Sequence, residues 1–343
     1  MIYLEADGEL NTTEFDLSEL VLSVAVAVER YMREFESKPL DDETLGVIQR
    51  WFAKVTRENV EERVAQIQVQ GGSDSVPLPA KFFASILGML KRTSTERERV
   101  VQSIQKYPAE LVGHTNDLLR EASRLIGERE FLVVVDNLDR YNPTVIDRCL
   151  SAGAEHLHSL DVNLILTPPV SLLLNPHSEP LNNLYQTEFM YTPALRRPTD
   201  PPEFVSNSGR ETFRAVLSKR LDLDAIFADP DAVLDRVLQQ TGGNLRDLME
   251  HLREAIVLAE GPKLTVADID AANHKRVSII RDQILVSGKA PLLAKIERAH
   301  SLLGGDESLQ LLYRRWVLKY NGEEWYALHP YVRAVPEVAE LLE

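Results

Sequence analysis

The sequence is poor in the features that mark secreted and membrane proteins. It has one cysteine, Cys149, so no disulfide can form within the chain. A lone thiol is typical of proteins from reducing compartments. No run of about 18 apolar residues occurs, which is the length that a membrane-spanning helix needs. The first residues carry acids instead of the basic charges of a secretory leader. These absences predict a cytoplasmic protein without a membrane segment.

Positive charge is also scarce. The 343 residues include 38 Lys and Arg against 53 Asp and Glu, which gives a net charge of −15. Because a surface of this sign repels phosphate backbones, a nucleic-acid partner is disfavoured. The histidines and the cysteine show no spacing typical of a zinc site. Hydrophobic content of 44% is ordinary for a globular protein, and the length allows two or three domains with their own cores.

The most informative stretch is 131–140, Phe-Leu-Val-Val-Val-Asp-Asn-Leu-Asp-Arg. A short continuous apolar run of this kind predicts a strand that is buried on both faces of a parallel sheet. Ligands of such sheets bind just beyond the carboxyl ends of the strands. Asp136 and Asp139 would lie there, and one or two carboxylates suffice for Mg²⁺. The alternative is a strand that ends in an ordinary charged turn.

Further strands are predicted around this one. Residues 162–166 form a second apolar run, which ends at the polar Thr167. A helix at about 143–160 separates the two runs, and such a crossover predicts neighbouring parallel strands. Residues 1–6 form another short strand, and 189–191 are a weaker candidate.

Helix signals and a hairpin signal punctuate the rest of the chain. Asp16 and Glu19 have the spacing of a capping box at the start of a strongly amphipathic helix over about 17–36. Segment 193–209 is rich in Pro, Ser and Asn and predicts a linker. Arg196 and Arg197 within it could form a trans-acting arginine finger or a solvated turn, and the turn is favoured. Near the end, Asn321-Gly322 separates two β-rich runs, which predicts a hairpin.

A second polar motif, Gly242-Gly243-Asn244-Leu245-Arg246, opens another helix. Asn244 is a good N-cap residue. An arginine in the first helical turn is unfavourable for the helix dipole, so Arg246 needs another reason to be present. Taken singly, Thr167 could be a strand cap and Arg246 half of a surface ion pair. Their order along the chain, after the strand that ends at Asp136, favours a shared function.

This order of motifs resembles P-loop ATPases of the AAA+ and STAND type. The resemblance implies that Asp136 is the Walker B ligand of Mg²⁺, that Thr167 is sensor 1 and that Arg246 is the sensor 2 arginine of the lid. The helix over residues 265–272 resembles a lid helix of these families, and a winged helix often follows it. ATP and Mg²⁺ are the cofactors that the resemblance implies.

Two departures from the family pattern concern the chemistry. Asn137 replaces the acid that usually follows the Walker B aspartate. Because an amide cannot act as a general base, hydrolysis would be slow or would rely on Asp139. The phosphate-loop pattern Gly-x-x-x-x-Gly-Lys-Ser/Thr is absent, and the nearest match, 287–290, lacks its upstream glycine and final hydroxyl. Either the sequence starts downstream of the loop, which a start inside a strand favours, or the chain is a pseudo-ATPase.

The sequence therefore predicts an α/β fold in three parts. A P-loop NTPase-like parallel sheet with helical insertions would span 1–195, a helical lid 196–275 and a winged-helix-like unit 276–343. The implied function is an ATP-dependent conformational switch whose phosphate-binding loop is absent from this chain. The alternative is a non-enzymatic interaction module that keeps only the fold. Both functions imply a protein partner or self-association, and catalytic activity is left open.

Overall fold

The chain folds into two compact units, Met1–Thr187 and Glu188–Glu343. The computed structural model describes residues 1–56, 78–188, 195–200, 204–320 and 325–343. The first unit combines helices with a parallel sheet, and the second combines helices with an antiparallel strand pair. The predicted mixed α/β class is thus confirmed. The finer division at 195/196 and 275/276 stays a prediction.

Three short strands form the sheet of the first unit: β1 (Ile2–Glu5), β2 (Leu132–Asp136) and β3 (Asn163–Leu166). Their order is β1-β2-β3, and both pairings are parallel. Val133 lies opposite Leu164 in the register of β2 and β3. The prediction of neighbouring parallel strands is confirmed, and the central strand is the one that ends at the aspartate.

Ten α-helices accompany this sheet within the described part of the first unit. In chain order they are α1 (Ala6–Glu9), α2 (Leu17–Glu34), α3 (Asp42–Thr56), α4 (Leu78–Leu90), α5 (Thr95–Ile104), α6 (Pro108–Leu125), α7 (Pro143–Ile146), α8 (Ala154–His158), α9 (Val170–Leu173) and α10 (Glu179–Leu184). The single helix predicted at 143–160 is instead α7 and α8 with a π-helical stretch, Asp147–Ser151, between them.

Helix α2 is the central helix of the first unit. The predicted capping box is present: the Glu19 amide donates to Asp16 Oδ1 at 3.0 Å, and the Asp16 amide donates to Glu19 Oε2 at 2.9 Å. Residues 18–29 of the helix are all buried. A helix that is buried nearly all round needs partners on every side, and α2 packs against β1, α4 and α6.

The expectation that the strands are buried on both faces is wrong. Val133 and Val135 are fully buried, but Tyr3 and Ile165 on the other face are 54% and 48% exposed. The flanking strands alternate between buried or half-buried and exposed residues, as a half-buried sheet does. β2 is apolar along its whole length because it is the central strand. The strands on both sides of it shield Val134, which is half-buried although it lies on the exposed face.

The second unit is helical, with one strand pair among its described residues. Its helices are α11 (Asn207–Ser218), α12 (Leu223–Ile226), α13 (Pro230–Thr241), α14 (Leu245–Leu258), α15 (Val266–Ser287), α16 (Ala290–Ala299), α17 (Gly305–Tyr313), α18 (Pro330–Arg333) and α19 (Pro336–Leu342). Strands β4 (Val317–Tyr320) and β5 (Trp325–Leu328) pair in antiparallel fashion, as predicted. The predicted turn at 321–322 and the predicted strand at 189–191 lie outside the described residues.

Part of the predicted linker 193–209 belongs to the core of the second unit. Leu195 is only 3% exposed, and the Ser206 amide donates to its carbonyl oxygen at 2.6 Å. A Cβ atom on Gly243 would lie 3.1 Å from the Leu195 side chain, and Gly243 has φ +77°. Glycine is therefore favoured at the turn for two reasons, the backbone conformation and the close approach of Leu195.

Candidate functional site

The carboxylate of Asp136 is the centre of the site at the end of β2. Its Oδ1 atom accepts hydrogen bonds from the Thr167 hydroxyl at 2.8 Å and from the Asn137 amide at 2.8 Å. Its Oδ2 atom accepts a hydrogen bond from the Tyr3 hydroxyl. The structure thus brings two of the predicted site residues, Asp136 and Thr167, into direct contact.

The parallel register explains this contact. Asp136 lies opposite Glu5 at the carboxyl ends of β2 and β1. On the other side, the Thr167 amide donates to the Val135 carbonyl at 3.2 Å, which extends the ladder one residue beyond β3. Since alternate residues of a strand share a face, Tyr3 and Glu5 project from the same face of β1. Three strands therefore deliver a phenol, a carboxylate and a hydroxyl to one edge.

The hydrogen bonds around Asp136 keep it ionised. The bond from Tyr3 lowers the pKa of the Asp136 carboxyl most, and the bonds from Thr167 and the Asn137 amide add to it against an opposing effect of burial. The same bond raises the pKa of Tyr3 to about 12. At neutral pH the phenol is therefore the donor and the carboxylate the acceptor.

Asn137 has a structural role that its sequence position does not reveal. Its φ of 65° is left-handed, a conformation that asparagine tolerates better than most residues. Its side-chain amide donates to Asp7 Oδ1 at 2.9 Å, and Arg140 pairs with the other oxygen of Asp7. The amide is thus engaged with α1, and it offers no proton-accepting group beside Asp136.

Asp139 lies in the 3₁₀ turn Leu138–Arg140 that follows the strand. Two neighbours anchor this turn: Leu138 is fully buried, and the Tyr141 hydroxyl donates to the Ala6 carbonyl at 3.0 Å. Asp139 itself is half-buried. Its proposed part in hydrolysis stays a prediction.

Arg246 lies in the first turn of α14, in the second unit, and is half-buried. The predicted N-cap is present, because the Asn244 side chain accepts from the Asp247 amide at 3.1 Å. The assignment of Arg246 to the nucleotide cleft of Asp136 stays a prediction.

Sequence reasoning missed Tyr3 and Asp7 as site residues. Tyr3 could have been found, because the alternation of β1 and a parallel register beside β2 place it on the face of Asp136. Asp7 gave no such signal, since α1 has only four residues and no periodic pattern.

The oxygen atoms at this edge are of the kind that Mg²⁺ prefers. No group of three or more His, Cys, Asp or Glu side chains suited to a metal occurs among the described residues. Mg²⁺ is commonly bound by one or two carboxylates and completes its shell with waters and phosphates. Asp136 and Thr167 fit that requirement, and the hydrogen bond from Tyr3 to Oδ2 competes with a cation for the electron density of that oxygen.

Comparison of the chain with protein families, curated proteins and solved structures returned no match. Among the described helices, none combines the length and the apolar character needed to cross a bilayer. The interpretation of the site therefore depends on its own residues and geometry.

Proposed function

We propose that this chain is an ATP-dependent conformational switch of the AAA+ or STAND type, with the edge formed by Asp136 and Thr167 facing a Mg²⁺-nucleotide. The contact between these two side chains carries the proposal. A Walker B acid and a sensor 1 hydroxyl are expected on adjacent parallel strands, and β2 and β3 are such strands. ATP binding would switch the chain between two conformations.

Each residue of the edge has a distinct task in this proposal. Asp136 would hold Mg²⁺, which neutralises phosphate charge when it is bound. Thr167 orients the carboxylate through its hydroxyl, and Asn137 fixes the following turn through Asp7. Because Asn137 cannot accept a proton, the site favours binding over rapid hydrolysis.

A specific observation favours a second function, a non-enzymatic interaction module with a protein partner. Both oxygens of Asp136 already accept hydrogen bonds from Tyr3, Thr167 and the Asn137 amide. A carboxylate that is satisfied in this way can serve as a structural cross-link between three strands. The absence of a phosphate-loop pattern from the sequence fits this reading as well.

Titration calorimetry of the full chain with Mg-ATP separates the two functions. A phosphate loop supplies a row of amide donors and a lysine, and without it we expect a dissociation constant no tighter than about 1 mM. Under the switch proposal, Asp136→Asn abolishes this weak binding, whereas Asp42→Asn at the exposed start of α3 leaves it unchanged. Small-angle X-ray scattering with and without Mg-ATP then measures whether the two units rearrange.

The outcomes are distinct. Binding that depends on Asp136, together with a nucleotide-dependent change in scattering, supports the switch. Absence of binding at several times that concentration supports the interaction module. Low-micromolar binding that survives Asp136→Asn would contradict the placement of a nucleotide at this edge.

A further inference from the structure

A cavity of about 310 Å³ lies within the second unit, far along the sequence from Asp136. Its wall includes the C-terminal part of α13 and residues of α15, α18, β4 and β5. Residues of segment 193–209, which the sequence predicted to be a linker, complete it. The volume falls at the lower end of the range of small-molecule sites, about 300–1,000 Å³.

Three arginines contribute to the wall, Arg196, Arg236 and Arg333, and no acidic residue does. The chain carries a net charge of −15, so a cavity wall with cations alone is a local exception. Guanidinium groups recognise carboxylates and phosphates because their N–H donors lie in one plane. The wall is therefore suited to an anion.

Two carboxylates hold these arginines in place. Glu297 pairs with Arg333 and lies 3.9 Å from Arg196, and Asp270 lies 2.6 Å from Arg236. Three cations against two anions leave an excess of one positive charge. Each guanidinium has five N–H donors, so these ion pairs do not exhaust its capacity.

Gln240 supports the ion pair between Asp270 and Arg236. It is 7% exposed and belongs to the wall of the cavity. Its Nε2 atom donates to Asp270 Oδ1 at 2.6 Å, and Arg236 Nε donates to the same oxygen at 2.6 Å. The amide thus helps to hold the carboxylate that positions Arg236 at the cavity.

The rest of the wall sets the character of the ligand's body. Phe204, Leu238 and Leu328 line the cavity, and Phe204 is 46% exposed. The guanidinium of Arg196 stacks over the Trp325 ring with 5.1 Å between its central carbon and the ring centroid. These groups favour a planar or apolar body attached to the anionic group.

We propose that this cavity binds a small organic anion, a carboxylate or a phosphate monoester, whose body is apolar or aromatic. The anionic group pairs with Arg236 and Arg333. This site belongs to the second unit and shares no residue with the edge formed by Asp136 and Thr167.

Calorimetry of the full chain with charge-matched probe pairs tests the proposal. The carboxylate pair is N-acetyltryptophan and its neutral amide, and the phosphate pair is 4-aminophenyl phosphate and 4-aminophenol. We expect one anion of the two to bind with a stoichiometry of one, at least about tenfold more tightly than its neutral counterpart. The pair that responds distinguishes a carboxylate ligand from a phosphate ligand.

Two variants locate the binding. Arg236→Gln removes a cation whose side chain is 41% exposed and is expected to weaken binding at least severalfold. Arg333→Lys keeps the ion pair with Glu297 and is expected to weaken binding less. Arg253→Gln, on the exposed side of α14, is the matched control and keeps full affinity. Equal binding of charged and neutral probes, binding of neither anion, or affinity unchanged in the folded Arg236→Gln protein would overturn the proposal.

Discussion

Each unit of the molecule buries an ionisable cluster, and the two clusters respond to burial in opposite ways. In the first unit burial raises the pKa of Glu19 to about 7. In the second unit burial lowers the pKa of His329 and that of His251. The physical cause is the same, because a low-dielectric interior disfavours the charged form of either group. The comparison teaches that one cause gives the two units opposite pH dependences.

The cluster of the first unit joins three helices through Arg97. This side chain is 4% exposed and donates to Glu19 Oε1 at 3.1 Å and to Glu19 Oε2 at 2.9 Å. It also donates to the Leu90 carbonyl at 2.9 Å and to the Glu14 carbonyl at 2.9 Å. One guanidinium thus links the start of α2, the end of α4 and the start of α5.

The cluster of the second unit joins α14, α15 and α18 by a chain of weaker contacts. Asp247 lies 3.1 Å from Arg315 and 3.3 Å from His329. The Tyr331 ring stacks on His329 with 4.4 Å between the ring centroids, and its hydroxyl donates to His251 Nδ1 at 2.7 Å. The cluster spreads its contacts over several groups, whereas the first cluster depends on one cation.

The largest expected effect follows from that dependence. Arg97→Met removes the counter-charge of the buried Glu19 and leaves the Leu90 and Glu14 carbonyls without their donor, so we expect a loss of about 3–5 kcal/mol in the free energy of unfolding at pH 7. Urea denaturation followed by circular dichroism measures it. The loss should differ little at pH 5, because removal of Arg97 raises the pKa of Glu19 further and keeps it protonated at both pH values.

Arg92→Met, at an exposed position between α4 and α5, is the matched control and should change the unfolding free energy little. A loss in Arg97→Met no larger than in this control would mean that Arg97 does not carry the cluster.

The corresponding change in the second unit is expected to be smaller. Asp247→Asn keeps the shape of the side chain but removes the charge that faces Arg315 and His329, for an expected loss of about 1–3 kcal/mol. Asp282→Asn on the exposed surface of α15 is the control. If Asp247→Asn lowers the free energy of unfolding as much as Arg97→Met does, the second cluster also depends on a single charged group. The contrast between one dominant cation in the first unit and several shared contacts in the second would then be wrong.

The opposite pH dependences can be measured unit by unit. Glu19 binds its proton more tightly in the folded state, so its contribution is complete below its ordinary pKa of 4.5 and is lost as the pH rises towards about 7. His329 has a lowered folded pKa, so its contribution is complete above the ordinary value of 6.5 and is lost as the pH falls. Trp51 reports on the first unit, and Trp316 and Trp325 on the second.

Urea titrations from pH 5 to pH 8 therefore use two backgrounds, Trp51→Phe and the double change Trp316→Phe with Trp325→Phe. His329→Asn supplies an N-cap oxygen in place of the Nδ1 atom that accepts from the Tyr331 amide, and it should reduce the acidic loss of stability in the second unit alone. Parallel pH profiles of the two units would contradict the comparison.

How far the sequence could predict this structure depends on the range of the interactions. The capping boxes of α2 and α15 were predictable, because a cap is decided within four residues. The contact of Asp136 with Thr167 followed from the crossover between parallel strands. Arg97, 78 residues from Glu19, was not predictable, since nothing local requires a buried cation there. The exposed face of the sheet was missed because a central strand flanked by two others looks apolar along its whole length.

The smallest expected effect concerns the edge formed by Asp136 and Thr167, which is the exposed counterpart of the buried clusters. Tyr3→Phe removes the hydrogen bond that lowers the pKa of Asp136 most, so this pKa should rise towards its ordinary value while the urea midpoint changes little. Carbon-detected NMR of the Asp136 carboxyl measures the pKa directly. With Oδ2 released, the variant should also bind Mg²⁺ more tightly than the parent chain, whereas Tyr107→Phe, a half-exposed tyrosine ahead of α6, should not. An unchanged pKa and an unchanged Mg²⁺ affinity would mean that Tyr3 does not set the pKa of the Asp136 carboxyl. Asp136 would then titrate independently of the residues around it, unlike Glu19 and His329 in the buried clusters.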